Sequence, residues 1–182
     1  MNKYTIRDIA ELGIFAGITI VLSLPIFKIH IAPDAGSISF VMIPLFILAI
    51  RHTWWKTLIV CAIVYGLPAC LINGHGLQGY PLDYMCAYGS IAIVSLFRGH
   101  ILSNKKSSYL FLILSITIVT LLRYAFSTMS SIWIYEYQFI AALIYNATYI
   151  FISGAIGLVA LLLLLKPLKI VDKKYPCVKE LQ

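Results

Sequence analysis

Two charged side chains stand inside otherwise apolar runs: Asp83, in Gly79-Tyr-Pro-Leu-Asp-Tyr-Met-Cys-Ala-Tyr88, and Arg123, in Leu122-Arg-Tyr124. A charge at membrane depth costs on the order of 3 kcal/mol on insertion scales, and it marks either a functional site or a structural pair. Tyr84, Tyr124, Ser127, Trp133, Tyr135 and Asn146 lie near the same ends of their apolar runs, with Tyr145 and Tyr149 beside Asn146. A carboxylate, aromatic rings and an amide make a receptor for a flat cationic heterocycle. The carboxylate neutralises its charge, the rings stack on it and attract the cation, and the amide pairs with ring nitrogens. Each residue also has a plainer use. Asp83 and Arg123 can neutralise each other, Tyr80, Trp133 and Tyr137 suit an interfacial aromatic belt, and Asn146 can bond between helices.

Other chemistry finds little support. The four cysteines, Cys61, Cys70, Cys86 and Cys177, show no metal or redox spacing. His30, His52, His75 and His100 fall in four different connections with no Glu or Cys at ligand spacing, so no metal site is expected. There is no nucleophile motif, phosphate loop or dinucleotide fingerprint, so no enzyme activity and no cofactor are expected. The sequon Asn146-Ala-Thr148 lies inside an apolar run and is not expected to be glycosylated.

The elements that must position these groups are membrane helices. Of 182 residues 61% are apolar and only 12% charged, with a mean hydropathy of +0.92. A soluble domain carries about 25% charge. The apolar runs suggest six spans in one transmembrane domain over residues 1–182: about 9–29 (bent near Pro25), 38–50, 57–72, 82–97, 109–129 and 139–165. The second and third are short and divided only by Arg51–Lys56, so a single re-entrant hairpin is the competing arrangement. The apolar stretch at the N-terminus exceeds a signal-peptide core and lacks a small-residue cleavage site.

Charge placement orients the bundle. Lys3, Arg7, Arg51, Lys56, Arg98, Lys105, Lys106, Lys166, Lys169, Lys173, Lys174 and Lys179 are twelve of the fourteen basic residues, and all fall on one alternating set of connections. Basic connections stay in the cytoplasm, so both termini are expected inside. The net charge of +7 then reflects topology and contact with anionic lipid, with no nucleic-acid surface. The opposite side carries Lys28 alone among basic residues, against Asp34, Asp83 and Glu136, a field that favours cations.

Three stretches, in order, carry a resemblance: Gly36-Ser-Ile-Ser-Phe-Val-Met-Ile-Pro-Leu-Phe-Ile-Leu-Ala-Ile-Arg51; Pro81-Leu-Asp-Tyr84; and Leu122-Arg-Tyr124 with Tyr145-Asn-Ala-Thr-Tyr149. Through them the chain resembles the thiamine-specific substrate-binding subunits (S-components) of energy-coupling factor transporters. The resemblance implies six helices, cytoplasmic ends and a vitamin site near the outer face of a prokaryotic plasma membrane. The implied partners are a membrane coupling subunit and two ATP-binding subunits. It also implies that Asp83 faces the thiazolium ring, Asn146 binds the aminopyrimidine, Tyr84 is a site tyrosine and Arg123 lies near the carboxylate. Gly13 and Gly17, in Gly13-Ile-Phe-Ala-Gly17, would dock on the coupling subunit through a small-residue face; internal packing is the alternative.

The chain departs from the family pattern in places. Ser127 stands where some relatives have histidine, Ala141 where they have an aromatic, and Ala35 near a loop tryptophan. The aromatic after the fifth span is Trp133 or Tyr135. The acid is Asp rather than Glu, one methylene shorter. Hydroxymethylpyrimidine, thiazole or pyridoxine-type compounds are therefore alternative ligands. An autonomous ion-coupled transporter using Asp83 as a proton site is a further alternative, but such transporters are usually built on inverted repeats, which this chain lacks.

Overall fold

Apolar runs with no water around them must satisfy their own backbone hydrogen bonds, and helix does this within one segment. A computed structural model describes residues 6–30, 36–74 and 76–177. Lys3, Asp34, Ala35, His75 and Lys179 lie outside the described residues. Six helical stretches of ten residues or more follow in order: α1 (Ile6–Leu22), α2 (Met42–Arg51), α3 (Trp54–Asn73), α4 (Leu77–Leu102), α5 (Ser107–Trp133) and α6 (Phe139–Lys174). The last four are long and apolar enough to cross a membrane, whereas α2 is a shorter apolar helix.

The boundaries differ from the sequence expectation in instructive places. The first helix does not run on to residue 29 with a bend; it ends at Leu22. Leu24, before Pro25, is extended at φ −64° and ψ 145°, the conformation a following proline imposes. After a 3-10 turn at Pro25–Phe27, Ile29–His30 (β1) pairs antiparallel with Ser37–Ile38 (β2). The region about 38–50 thus begins as strand and only then becomes helix. Between α2 and α3 the chain breaks at His52, extended at φ −111° and ψ 169°, which separates the two helices.

Helices α3 and α4 are irregular. Residues Val60–Tyr65 and Tyr80–Cys86 wind as wide π-helical turns, and Ser90–Phe97 as a tight 3-10 segment. Gly74, at φ 68°, caps α3 in the left-handed conformation that glycine alone adopts without cost.

Apolar side chains cover the outer surface as well as filling the core. Leu110, Ile140, Leu163 and Ile170 are exposed, while Ser90, Ser115, Ser130, Arg123 and Asn146 are buried. Lipid tails are as apolar as leucine, so helices associate through close packing and interhelical hydrogen bonds. Gly154 on α6 packs against Thr120 of α5, and Gly157 against Phe46 of α2. Thr57 and Ser95 share a hydrogen bond of 3.1 Å between α3 and α4.

One pole collects charge. Arg51 is buried there, bonded to Glu11 and lying 3.8 Å from Asp172, which is also 3.8 Å from Arg98. Lys56 donates to Asp8 at 3.0 Å. These pairs tie the start of α1 to the α2–α3 turn and the end of α6. Breaking one partner of a buried pair typically costs about 3–5 kcal/mol.

Candidate ligand-binding site

At the opposite pole, a cavity of about 900 Å³, its open mouth included, lies between β2 and helices α3 to α6. Its floor is a tyrosine cluster. Tyr88 stacks on Tyr84 with ring centres 6.2 Å apart, and Tyr65 meets Tyr88 edge-on at 4.8 Å. The wide turn at Tyr80–Cys86 presents Asp83 and Tyr84, and the one at Val60–Tyr65 presents Tyr65. Such turns shift the side chains that follow around the axis and recur at functional sites.

Asp83 accepts a hydrogen bond from Ser130 at 2.6 Å, which fixes the carboxylate. The Tyr84 hydroxyl accepts from Asn73 at 2.9 Å, and Lys28 donates to the same amide, anchoring the α1–β1 connection at the rim. Arg123 is 5% exposed, donates to the Tyr88 hydroxyl at 2.8 Å and lies over the Tyr88 ring at 4.4 Å. Its recorded partner is thus Tyr88 rather than Asp83. The Arg123 Nε and Nη1 have no hydrogen-bond partner among the described residues. Buried donors of this kind are normally satisfied, so two N–H-bearing atoms await an acceptor.

Asn146 is held on three sides. Its amide nitrogen donates to Ser131 at 2.8 Å and to the Ala142 carbonyl at 2.9 Å, and its oxygen accepts from Tyr149 at 2.8 Å. Ser131 in turn donates to the Ser127 carbonyl at 2.9 Å. One lone pair of the Asn146 oxygen is left for a ligand N–H. Tyr137, Tyr145 and Tyr149 form an edge-to-face series at 5.8 and 5.6 Å on one wall. Glu136, between Tyr135 and Tyr137, takes a left-handed φ of 55°. This tight reversal lets both flanking tyrosines line the cavity. Burial first, then nearby Asp83, pushes the Tyr135 phenol up to about 12, so it is a neutral donor at physiological pH.

The structure brings together six of the eight residues singled out in the sequence: Asp83, Tyr84, Arg123, Ser127, Tyr135 and Asn146 line the cavity. Tyr124 and Trp133 do not. Tyr124 follows Arg123 by one residue, so it points about 100° around the helix; its hydroxyl bonds the Leu143 carbonyl at 3.2 Å and its ring packs on Phe151. Trp133 ends α5 and is 68% exposed. Of the two candidate aromatics after the fifth span, the one lining the cavity is Tyr135. Lys28, Tyr65, Asn73, Tyr88 and Ser131 also line it, though the sequence does not single them out as site residues. Two of them had a local signal, since Tyr88 and Ser131 sit one helical turn after Tyr84 and Ser127.

A family model described as Thiamine transporter protein (Thia_YuaJ) matches residues 9–172. The chain is 28% identical over 186 residues to the thiamine transporter ThiT of Bacillus subtilis (strain 168), covering 90% of this chain and 92% of that one. It also shares its fold with a solved structure of ThiT from Listeria monocytogenes, with a TM-score of 0.66 and 22% identity over 92% of this chain and 94% of the other.

Proposed function

The chain belongs to the thiamine transporter protein family, and from that premise we propose that it is the thiamine-binding membrane subunit of an energy-coupling factor transporter. The family and the matched relatives are transporters rather than enzymes, and a thiamine-transport role in the cell membrane, as a multi-pass protein, follows. The finer proposal has six membrane-crossing helices, both ends cytoplasmic, the cavity toward the outside, and ATP-driven release through a coupling subunit with two ATP-binding subunits. The alternating basic connections support this orientation: Arg51, Lys56 and Arg98 gather at the pole opposite the cavity.

The observation that carries the substrate reading is Asp83 held beside a wall of tyrosines. Thiamine pairs a permanent thiazolium cation with a neutral aminopyrimidine. Asp83 and the rings suit the cation, while the remaining lone pair of Asn146 can accept from the exocyclic amine. The spare N–H groups of Arg123 can donate to a ring nitrogen or hydroxyl. Titration calorimetry of the purified chain should give one saturable thiamine site, with weaker binding of pyridoxine and of the separate pyrimidine and thiazole halves. Absence of thiamine heat beside a clear pyridoxine isotherm would overturn the substrate. Thiamine uptake in cells should stop when the ATP-binding subunits are deleted; uptake that survives the deletion would point to an autonomous transporter.

Close packing at the rim gives a further test. A Cβ at Gly36 would run into the ring of Tyr149, whose hydroxyl steadies Asn146. Gly36→Ala should therefore displace Tyr149 and weaken thiamine about five- to tenfold, the equivalent of one hydrogen bond worth roughly 1 kcal/mol. Unchanged affinity in that variant would mean Tyr149 takes no part in holding the site.

A further inference from the structure

Far from the cavity, at the charged pole, three side chains from separate parts of the chain converge. Asp8 opens α1, His52 sits in the α2–α3 turn and Cys177 follows α6, and a carboxylate oxygen, a ring nitrogen and the sulfur all lie within 4.8 Å of one another. We propose that Asp8, His52 and Cys177 form a binding site for a divalent metal ion of the zinc class, with Glu11 as the fourth ligand.

The donor chemistry is the first support. Thiolate, imidazole and carboxylate together match the mixed preference of zinc, and thiolate in particular disfavours magnesium and calcium. Donors around tetrahedral zinc stand about 3.5 Å apart, so the present cluster needs only a modest contraction. Glu11 is already adjacent: the Cys177 sulfur donates to its Oε2 at 3.1 Å, and its Oε1 lies 3.7 Å from the His52 Nε2.

His52 supplies the second, independent support. It is fully buried, and neither Nδ1 nor Nε2 has a hydrogen-bond partner among the described residues, Glu11 standing off at 3.7 Å from Nε2. A buried imidazole with both nitrogens unsatisfied is costly, and coordination by one of them is the ordinary remedy. The surrounding charges suit an ion with anionic ligands. Lys56 bonds Asp8 at 3.0 Å, and Arg51 bonds Glu11 and donates to the Cys177 sulfur at 2.9 Å, as cations commonly do around a bound thiolate or carboxylate. On binding, the thiol loses its proton to solvent and forms the metal–sulfur bond, and Glu11, whose two oxygens also accept from Arg51, turns a remaining lone pair to the ion. Such an ion would pin the C-terminal segment to α1 and to the α2–α3 turn.

The full chain, purified in detergent and stripped with a chelator, can be titrated with zinc and with cobalt as a spectroscopic probe. One tightly held ion per chain is expected. The cobalt form should show a thiolate-to-metal charge-transfer band and the visible bands of a tetrahedral site. Cys177→Ser should abolish the charge-transfer band and weaken cobalt at least tenfold, since changes merely around a metal site cost about 10–100-fold. His52→Gln should weaken the metal comparably. Helical circular dichroism and a single size-exclusion peak establish folding for each variant, independently of thiamine binding. Should folded wild-type chain retain no zinc or cobalt, or should Cys177→Ser leave affinity and spectrum unchanged, the site does not exist.

Discussion

Replacing Asp83 with asparagine is expected to weaken thiamine binding by tenfold or more. The variant keeps the side chain's size, and its amide oxygen can still accept from Ser130, which now bonds the carboxylate at 2.6 Å. What it loses is the negative charge opposite the cation. Charge-assisted contacts contribute about 1.5–3 kcal/mol, equivalent to roughly ten- to hundredfold in affinity. A neutral pyrimidine fragment carries no such charge and should lose little. Calorimetric titration of wild type and variant with both ligands separates the cases. Equal losses for the charged and neutral ligands would mean that Asp83 shapes the site through Ser130 and does not face the cation.

The second large effect concerns transport rather than binding. The double change Gly13→Leu/Gly17→Leu should stop cellular uptake while leaving thiamine affinity close to wild type. Both glycines are exposed on α1, and a Cβ built at either meets nothing within 4 Å among the described residues. Packing inside this chain therefore makes no use of their small size. Four residues apart, they share one face, and two leucines there would hold a partner helix away. Co-purification with the coupling and ATP-binding subunits should collapse together with uptake. If uptake survives in a variant that is expressed and folded, the coupling subunit docks elsewhere.

Much of the site was legible because polar groups stand out in apolar runs. Asp83, Arg123 and Asn146 each interrupt a hydrophobic helix, and nothing but a binding or pairing role offsets that cost. The tyrosines were harder. Aromatic residues near helix ends have an interfacial role available, so neither type nor position distinguishes Tyr135, which lines the cavity, from exposed Trp133. Tyr65 and Asn73 were out of reach because they come from α3, whose wide turn at Val60–Tyr65 has no simple periodic signature. Hydrophobicity does not mark the end of α1, because Val21–Ile29 is apolar throughout but for Ser23 and Lys28. Pro25, with no N–H to give and a restricted predecessor, outweighed that hydrophobicity. The Asp8, His52 and Cys177 cluster has no local spacing at all, since its members come from three separate segments.

The wide turn at Tyr80–Cys86 has a consequence for how this chain aligns with others. A π-helical turn carries roughly one residue more than an α-helical turn, and one residue corresponds to about 100° of rotation. A helical wheel drawn backward from Tyr88 with regular spacing would therefore place Asp83 on the wrong side of α4. In an alignment, a relative with a regular helix here would match this chain only with a one-position gap between Tyr80 and Cys86. Such a gap, in the middle of a membrane helix where insertions are ordinarily penalised, would mark a true difference in winding. Forcing the two sequences into ungapped register would pair Asp83 with a residue about 100° away around the helix, and the cavity-lining acid would be assigned to the wrong column.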